Sequence, residues 1–402
     1  MQHNRTKIKT ILLLLISWTI SPSYCQEEII ELEPTPLDYI RGKDSLIDVV
    51  LANPQTYRFQ WMLTEIEKVD SNYVLGQTYD FTQPSWYFYP ASTVKLPIAL
   101  LTLEKLKKTG FSTHAQLRFN REQECGNMSY IDASHDPSLT IGDMLKKLII
   151  VSNNTYYNSF FHYLTPKLLN GELTKRGFGQ TKIYKDFTGC EMPLNFFSNS
   201  LNVSEQVAGN TFVQRSSVLE LKDFANNYTY DRNKLIGSKH EYRGKIVDGP
   251  FDFNYNLEYP IRDIHVTSLR LFFPDYFPKE VQWDIRERDR NLLLESMKSY
   301  PKDLGEKEFL NVKDYPDNLY KYIALGTPDS LYNSVITYSK IGISYGFVTE
   351  TAYVIDQRTD KRYVLTANIY VNSNNTVNDG KYEYEEVARP FLARFGQLLL
   401  EY

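Results

Sequence analysis

Ser92-Thr-Val-Lys95 sets a hydroxyl and an amine three residues apart. On a helix that spacing brings both groups to one face, and the chemistry it allows is acyl transfer. A serine hydroxyl attacks a carbonyl poorly until a neighbouring base takes its proton. A lysine becomes that base when burial or nearby positive charge lowers its pKa. Unpaired N–H groups at a helix start favour the negative charge that develops on the attacked oxygen. Taken alone, the tetrapeptide reads first as a helix N-cap followed by a surface lysine. A second copy, Ser299-Tyr-Pro-Lys302, holds a proline that suits a helix end better than a catalytic helix.

Three further elements change that balance. Ser152-Asn153-Asn154 closes a helical stretch, Glu191-Met-Pro-Leu-Asn195 follows, and Lys340-Ile341-Gly342 lies in a late strand ahead of the turn Ser344-Tyr345-Gly346. Together they resemble the serine β-lactamase/penicillin-binding protein superfamily, whose signature set is S-x-x-K, S-D-N and K-T-G. The glutamate element looks like the E-x-x-L-N of class A β-lactamases. The resemblance implies Ser92 as nucleophile and Lys95 as its proton acceptor, with no cofactor. It implies that Ser152 relays a proton to the leaving nitrogen and that Asn154 bonds the substrate amide. Lys340 would keep the site positive, Gly342 completes the K-x-G element, and the N–H groups of Ser92 and Ile343 would hold the oxyanion. Glu191, with Asn195 helping to hold a water, would activate that water to release the acyl group. Ser152-Asn-Asn also suits a helix-ending turn, and Glu191 also reads as a surface carboxylate.

The pattern departs in three places. Asn153 stands where aspartate is usual, in a residue that supports the local fold. Ile341 replaces the threonine whose hydroxyl helps bind a β-lactam carboxylate. Where the family often supplies an arginine, the chain reads Val348-Thr349-Glu350, so a substrate carboxylate would meet a glutamate.

These residues need elements to hold them. Strand patterns run over Tyr57–Met62 and Tyr73–Tyr79, separated by Asp70-Ser71-Asn72, and again over Val335–Tyr345, Thr351–Asp356 and Arg362–Val371. Helical patterns cover Leu46–Leu51, Ser92–Leu106, Leu139–Val151 (capped by Thr140 with Asp143), Ser217–Tyr228, Lys279–Met297 and Glu383–Leu400. The expected fold is an α/β (α+β sandwich) domain of β-lactamase/DD-peptidase type. Its antiparallel sheet comes from both chain ends, about 37–91 and 335–402, with an all-helical lobe inserted over about 92–334. Within that lobe, 231–278 is rich in aromatics, Pro and Gly without a clear period and reads as an insertion, a lid, a partner surface or an inert elaboration.

The rest of the sequence bounds the setting. Arg5, Lys7 and Lys9 precede the apolar run Ile11–Ile20, broken by Pro22, as in a secretory signal peptide spanning 1–25 and too short to cross a bilayer. The mature chain 26–402 would then be periplasmic or secreted. Cys25 as a lipid-attachment site is the alternative, which Pro22 and Tyr24 fit poorly. Export leaves Cys125 and Cys190, whose pairing sequence does not decide. No His/Cys spacing suits a metal, and a net charge of −4 argues against a nucleic-acid partner. A monomer acting on a β-lactam or cell-wall peptide is expected. The reading that leads is a β-lactamase-like hydrolase with Glu191-assisted deacylation. Its rivals are a D,D-peptidase, transpeptidase or esterase on the same fold, and a binding protein that has kept only the fold.

Overall fold

Alternation at the two ends of the chain builds one antiparallel sheet. Its strands are β1 (Gln60–Val69), β2 (Asn72–Phe81), β3 (Val335–Ser344), β4 (Phe347–Asp356) and β5 (Arg362–Tyr370), in the spatial order β3-β4-β5-β1-β2. The computed structural model describes residues 35–120, 132–187, 197–198, 200–205, 209–218, 229–311, 313–316, 320–326 and 334–402. Pro36–Tyr402 fold as one unit. The strands are longer than their apolar runs: β1 begins at Gln60 and continues through the alternating Thr64-Glu-Ile-Glu-Lys. A two-residue turn joins β3 to β4, with Tyr345 at φ 55° and Gly346 at φ 85°. Both residues are left-handed, which suits the twist of an antiparallel hairpin. A Cβ at Gly346 would also lie 2.8 Å from Val371 O, so glycine is required there.

Helices cover both faces. They are α1 (Ser45–Ala52), α2 (Lys95–Lys108), α3 (Ile141–Ile150), α4 (Asn154–Leu164), α5 (Pro166–Lys175), α6 (Ile261–Phe272), α7 (Glu287–Lys298) and α8 (Arg389–Glu401). α3 starts where the sequence places it: Thr140 and Asp143 form a reciprocal capping box. α7 starts later than expected, at Glu287, because Pro278 opens a separate 3-10 turn at Lys279–Val281. Ser217 and Val218 form a short strand, not the start of a helix, and 219–228 lie outside the described residues. Short strands accompany the helices of the inserted lobe.

Strand period sorts the side chains into two cores. Ile341, Val348, Ala352, Val354 and Leu365 pack with Phe391, Leu392, Phe395 and Leu398 of α8. On that side Phe59 meets Phe391 edge-on, with ring centroids 4.8 Å apart. The opposite face carries Lys340 and meets the helical lobe. α6 lies on this face, so 231–278, expected to lack a period, contains a helix of the sheet's own cover. Leu269 packs with Ile66, Tyr353 and Val364, and polar contacts accompany it. His265 pairs with Thr64 Oγ1 at 2.9 Å and Thr366 Oγ1 at 3.1 Å, and Ser268 Oγ pairs with Thr351 Oγ1 at 2.8 Å.

Candidate active site

Ser92 stands on a single 3-10 turn, Ala91–Val94, that runs directly into α2. Ala91 precedes it at φ 44°, a sparsely populated conformation for a side-chain-bearing residue. Thr93 fixes the turn: its N–H donates to Pro90 O at 3.1 Å and its hydroxyl donates to the same oxygen at 2.7 Å. Pro97 falls in the first turn of α2, where its missing N–H costs no helical bond. β3 then presses its backbone against this turn at Gly342. A Cβ there would come within 2.4 Å of Pro90 O and 3.0 Å of Ser92 N, so glycine is what lets an edge strand lie beside Ser92. Ile343 follows, partly exposed.

The lysine of the first motif is buried. Lys95 Nζ is 2.9 Å from Ser92 Oγ, 2.6 Å from Asn154 Oδ1 and 3.2 Å from Ser152 Oγ, and it also bonds Ser152 O. Among the described residues no carboxylate hydrogen-bonds it. Burial holds its pKa well below the ordinary lysine value, and the Lys340 charge lowers it further. Four oxygens surround a nitrogen that has three protons at most. A neutral amine can use three of the four, with two N–H donating to Ser152 O and Asn154 Oδ1 and the lone pair accepting from the Ser92 hydroxyl.

The second motif supplies the junction between two helices. Ser152 adopts φ 53° after α3, and Asn153 caps α4 by accepting from Thr155 N at 2.8 Å and Tyr156 N at 3.1 Å. Asparagine and aspartate cap comparably, which accounts for the change in the motif's middle position. The turn aims Ser152 Oγ between two lysines, with Lys340 Nζ 2.9 Å away on the far side. Burial lowers Lys340 to about 7, helped by Lys321 and opposed by Glu350.

Two expectations need correction. Ile341 does not face the site: its side chain lies in the core under α8, one residue out of phase with Lys340. Glu350, opposite Ile341 in the β3–β4 register, turns the same way. It accepts from Tyr322 N at 2.9 Å and Ile323 N at 2.7 Å, and so would not confront a bound carboxylate. The spare motif behaves as its proline suggests, with Ser299 at the end of α7 donating to Glu295 O at 2.8 Å.

Glu191, Asn195, Cys25, Cys125 and Cys190 lie outside the described residues, as does the leader 1–25. The described chain stops at Phe187, whose ring centroid is 5.4 Å from Lys95 Nζ and whose N–H donates to Asn158 Oδ1 at 2.8 Å. Phe187 and Lys321 were not anticipated from sequence. Phe187 stands four residues before the glutamate element, a signal that could have been used; Lys321 lies in a stretch without period. No group of metal-ligating side chains is assembled among the described residues, and no described helix is long and apolar enough to cross a membrane.

Residues 72–224 match the model of a beta-lactamase enzyme family. Among curated proteins none matches the sequence. Solved structures similar to this chain include the TLA-1 extended-spectrum β-lactamase, at 14% identity and a TM-score of 0.49 over 90% of this chain and 99% of that one. A β-lactamase from Burkholderia ambifaria gives 14% identity and 0.48 over 87% and 98%. One from Sphaerobacter thermophilus gives 10% and 0.47 over 89% and 96%.

Proposed function

Taking the chain as a member of the β-lactamase enzyme family, to which residues 72–224 match, we propose that it is an exported serine hydrolase. It opens an amide or β-lactam-like substrate through an acyl-enzyme on Ser92. The observation that carries this reading is Lys95, buried against Ser92 Oγ at 2.9 Å with no carboxylate partner among the described residues. In the first step the neutral Lys95 amine takes the Ser92 proton as Oγ bonds to the carbonyl carbon. Negative charge moves to the carbonyl oxygen, which the N–H groups of Ser92 and Ile343 receive. Ser152 Oγ, 3.2 Å from Lys95 and 2.9 Å from Lys340, then passes a proton to the departing nitrogen. As the C–N bond breaks, Lys95 returns its proton to Ser152. Lys340 supplies the positive field, and Asn154 holds the substrate amide. In the second step Glu191, with Asn195, draws a proton from the water that cleaves the ester.

A D,D-peptidase, transpeptidase or esterase is the second reading. What favours it is the face on which Ile341 and Glu350 lie: neither a hydroxyl at 341 nor a cation at 350 reaches the site to grip a β-lactam carboxylate. One experiment separates the readings. The protein, Ser92→Ala and Glu191→Ala are incubated with a chromogenic cephalosporin and followed by turnover and intact mass. Hydrolysis requires an adduct absent from Ser92→Ala and one that persists in Glu191→Ala, with deacylation slowed about a hundredfold to ten-thousandfold. Equal persistence in the unmodified protein favours transfer to another acceptor. Labelling that survives Ser92→Ala contradicts both readings.

A further inference from the structure

A second cavity, of about 390 Å³, opens beside the segment that leads into the nucleophile. Its walls come from Trp86, Tyr87 and Phe88 on one side and Tyr259 to Asp263 on the other. None of Ser92, Lys95, Ser152 or Lys340 lines it. The volume is that of a small-molecule site, and the question is what chemistry it would accept.

Each of its charged groups already holds a partner, Asp231 through Asn233 N at 2.9 Å. Lys234 Nζ is 2.7 Å from Glu258 Oε1, and Lys182 Nζ is 3.5 Å from the same oxygen. Arg262 pairs with Asp80, and Asp263 accepts from Thr181 Oγ1 at 2.6 Å. An anionic or cationic ligand would have to break one of these contacts to enter. A wholly apolar ligand would meet aromatic walls but would strip water from the polar groups at the mouth, at a cost. Those groups include the carboxamides of Gln83 and Gln180, both exposed, and the indole N–H of Trp86, all from residues that line the cavity. A carboxamide both donates and accepts, as a hydroxyl does. Aromatic surface flanked by such groups matches a ring with an apolar face and hydroxyls around its edge.

We infer that this cavity is a binding site for a neutral saccharide, with its ring against the Trp86–Phe88 wall and its hydroxyls on Gln83 and Gln180. The site lies outside the acylation machinery, so it stands or falls separately from the reaction assigned to Ser92.

The test uses the full chain with cellotetraose, maltotetraose and the N-acetylglucosamine tetramer as probes, followed by calorimetry and tryptophan fluorescence. Inorganic phosphate and the apolar dye ANS serve as contrasting probes. At least one oligosaccharide should bind in the millimolar range or tighter, and Gln180→Ala and Trp86→Ala should each weaken it about tenfold or more. Gln180 is exposed, so its variant should keep its melting temperature and its rate of Ser92 acylation without sugar. The inference is overturned if no oligosaccharide binds, if binding is the same in both variants, or if phosphate or ANS displaces the sugar.

Discussion

Helix α2 carries a buried charge-bearing residue near each end, and the surroundings treat the two differently. Glu104, near the C-terminal end, meets Arg176 through two bonds of 2.6 and 2.7 Å and also accepts from Asp284 N at 2.6 Å. Arg176 in turn stacks over Trp283, 5.1 Å from its ring. Lys95, at the N-terminal end, has hydroxyl, amide and carbonyl oxygens around it and a second lysine beyond. Burial acts against the charge at both ends. At Glu104, which burial leaves raised, it is opposed by Arg176; at Lys95 it is reinforced by Lys340. The lesson is that one pair holds the lobe together as ions, while the other residue is kept ready to be neutral.

The comparison can be broken from either end. Lys95→Met should lower acylation of Ser92 by about a hundredfold to ten-thousandfold while leaving the melting temperature unchanged or higher, since an apolar chain replaces a buried amine. Glu104→Gln should do the reverse. It removes the more buried of the two carboxylates on Arg176, leaving Glu172 at 3.0 Å, and should cost about 1–3 kcal/mol in denaturant unfolding, with folded protein still labelled at Ser92. If Lys95→Met unfolds the protein as readily as Glu104→Gln, the amine is structural and the contrast fails.

Lys340 sharpens the comparison through pH. Its pKa is about 7 when folded and near the ordinary lysine value when unfolded. Between about pH 7 and pH 10 the unfolded chain therefore binds more protons than the folded one, and stability from this group rises with pH. Below about pH 7 both states are protonated and the burial penalty is fully present. The stability difference between the natural protein and Lys340→Met should thus shift in favour of the natural protein across that window. Urea unfolding at several pH values measures it, and a difference that stays flat would mean Lys340 is charged throughout.

Ile341 gives the smallest effect. With its side chain in the core under α8, Ile341→Thr buries a hydroxyl and should cost about 1–3 kcal/mol. Its missing hydroxyl would otherwise suggest that threonine improves β-lactam hydrolysis. A gain in hydrolysis without loss of stability would show that residue 341 reaches the substrate after all.

The sheet and the meeting of Ser92, Lys95, Ser152 and Lys340 were legible because their patterns are strong. The alternation of Val335–Tyr345 and Arg362–Val371 marks antiparallel strands, and Ser92 to Lys95 is one helical turn. α6 was hidden for a physical reason. Its buried face includes His265 and Ser268, which answer threonines of the sheet with hydrogen bonds, and Thr267, which pairs with Tyr259, and these three break the apolar period. Burial keeps His265 neutral, with a pKa of about 3. The orientation of Ile341 and Glu350 was misjudged because motif position alone does not say which face of an edge strand a residue takes. A shift of one residue exchanges core for site.

Whether Lys95 serves Ser92 as a neutral base is read from the rate of Ser92 acylation against pH. Fluorophosphonate labelling read by intact mass avoids dependence on the natural substrate. The expected profile rises with pH through an apparent pKa well below the ordinary lysine value, and Lys95→Arg should be nearly inactive at every pH because arginine does not deprotonate. An acylation rate that ignores pH, or an arginine variant that labels at a near-normal rate, would contradict the account.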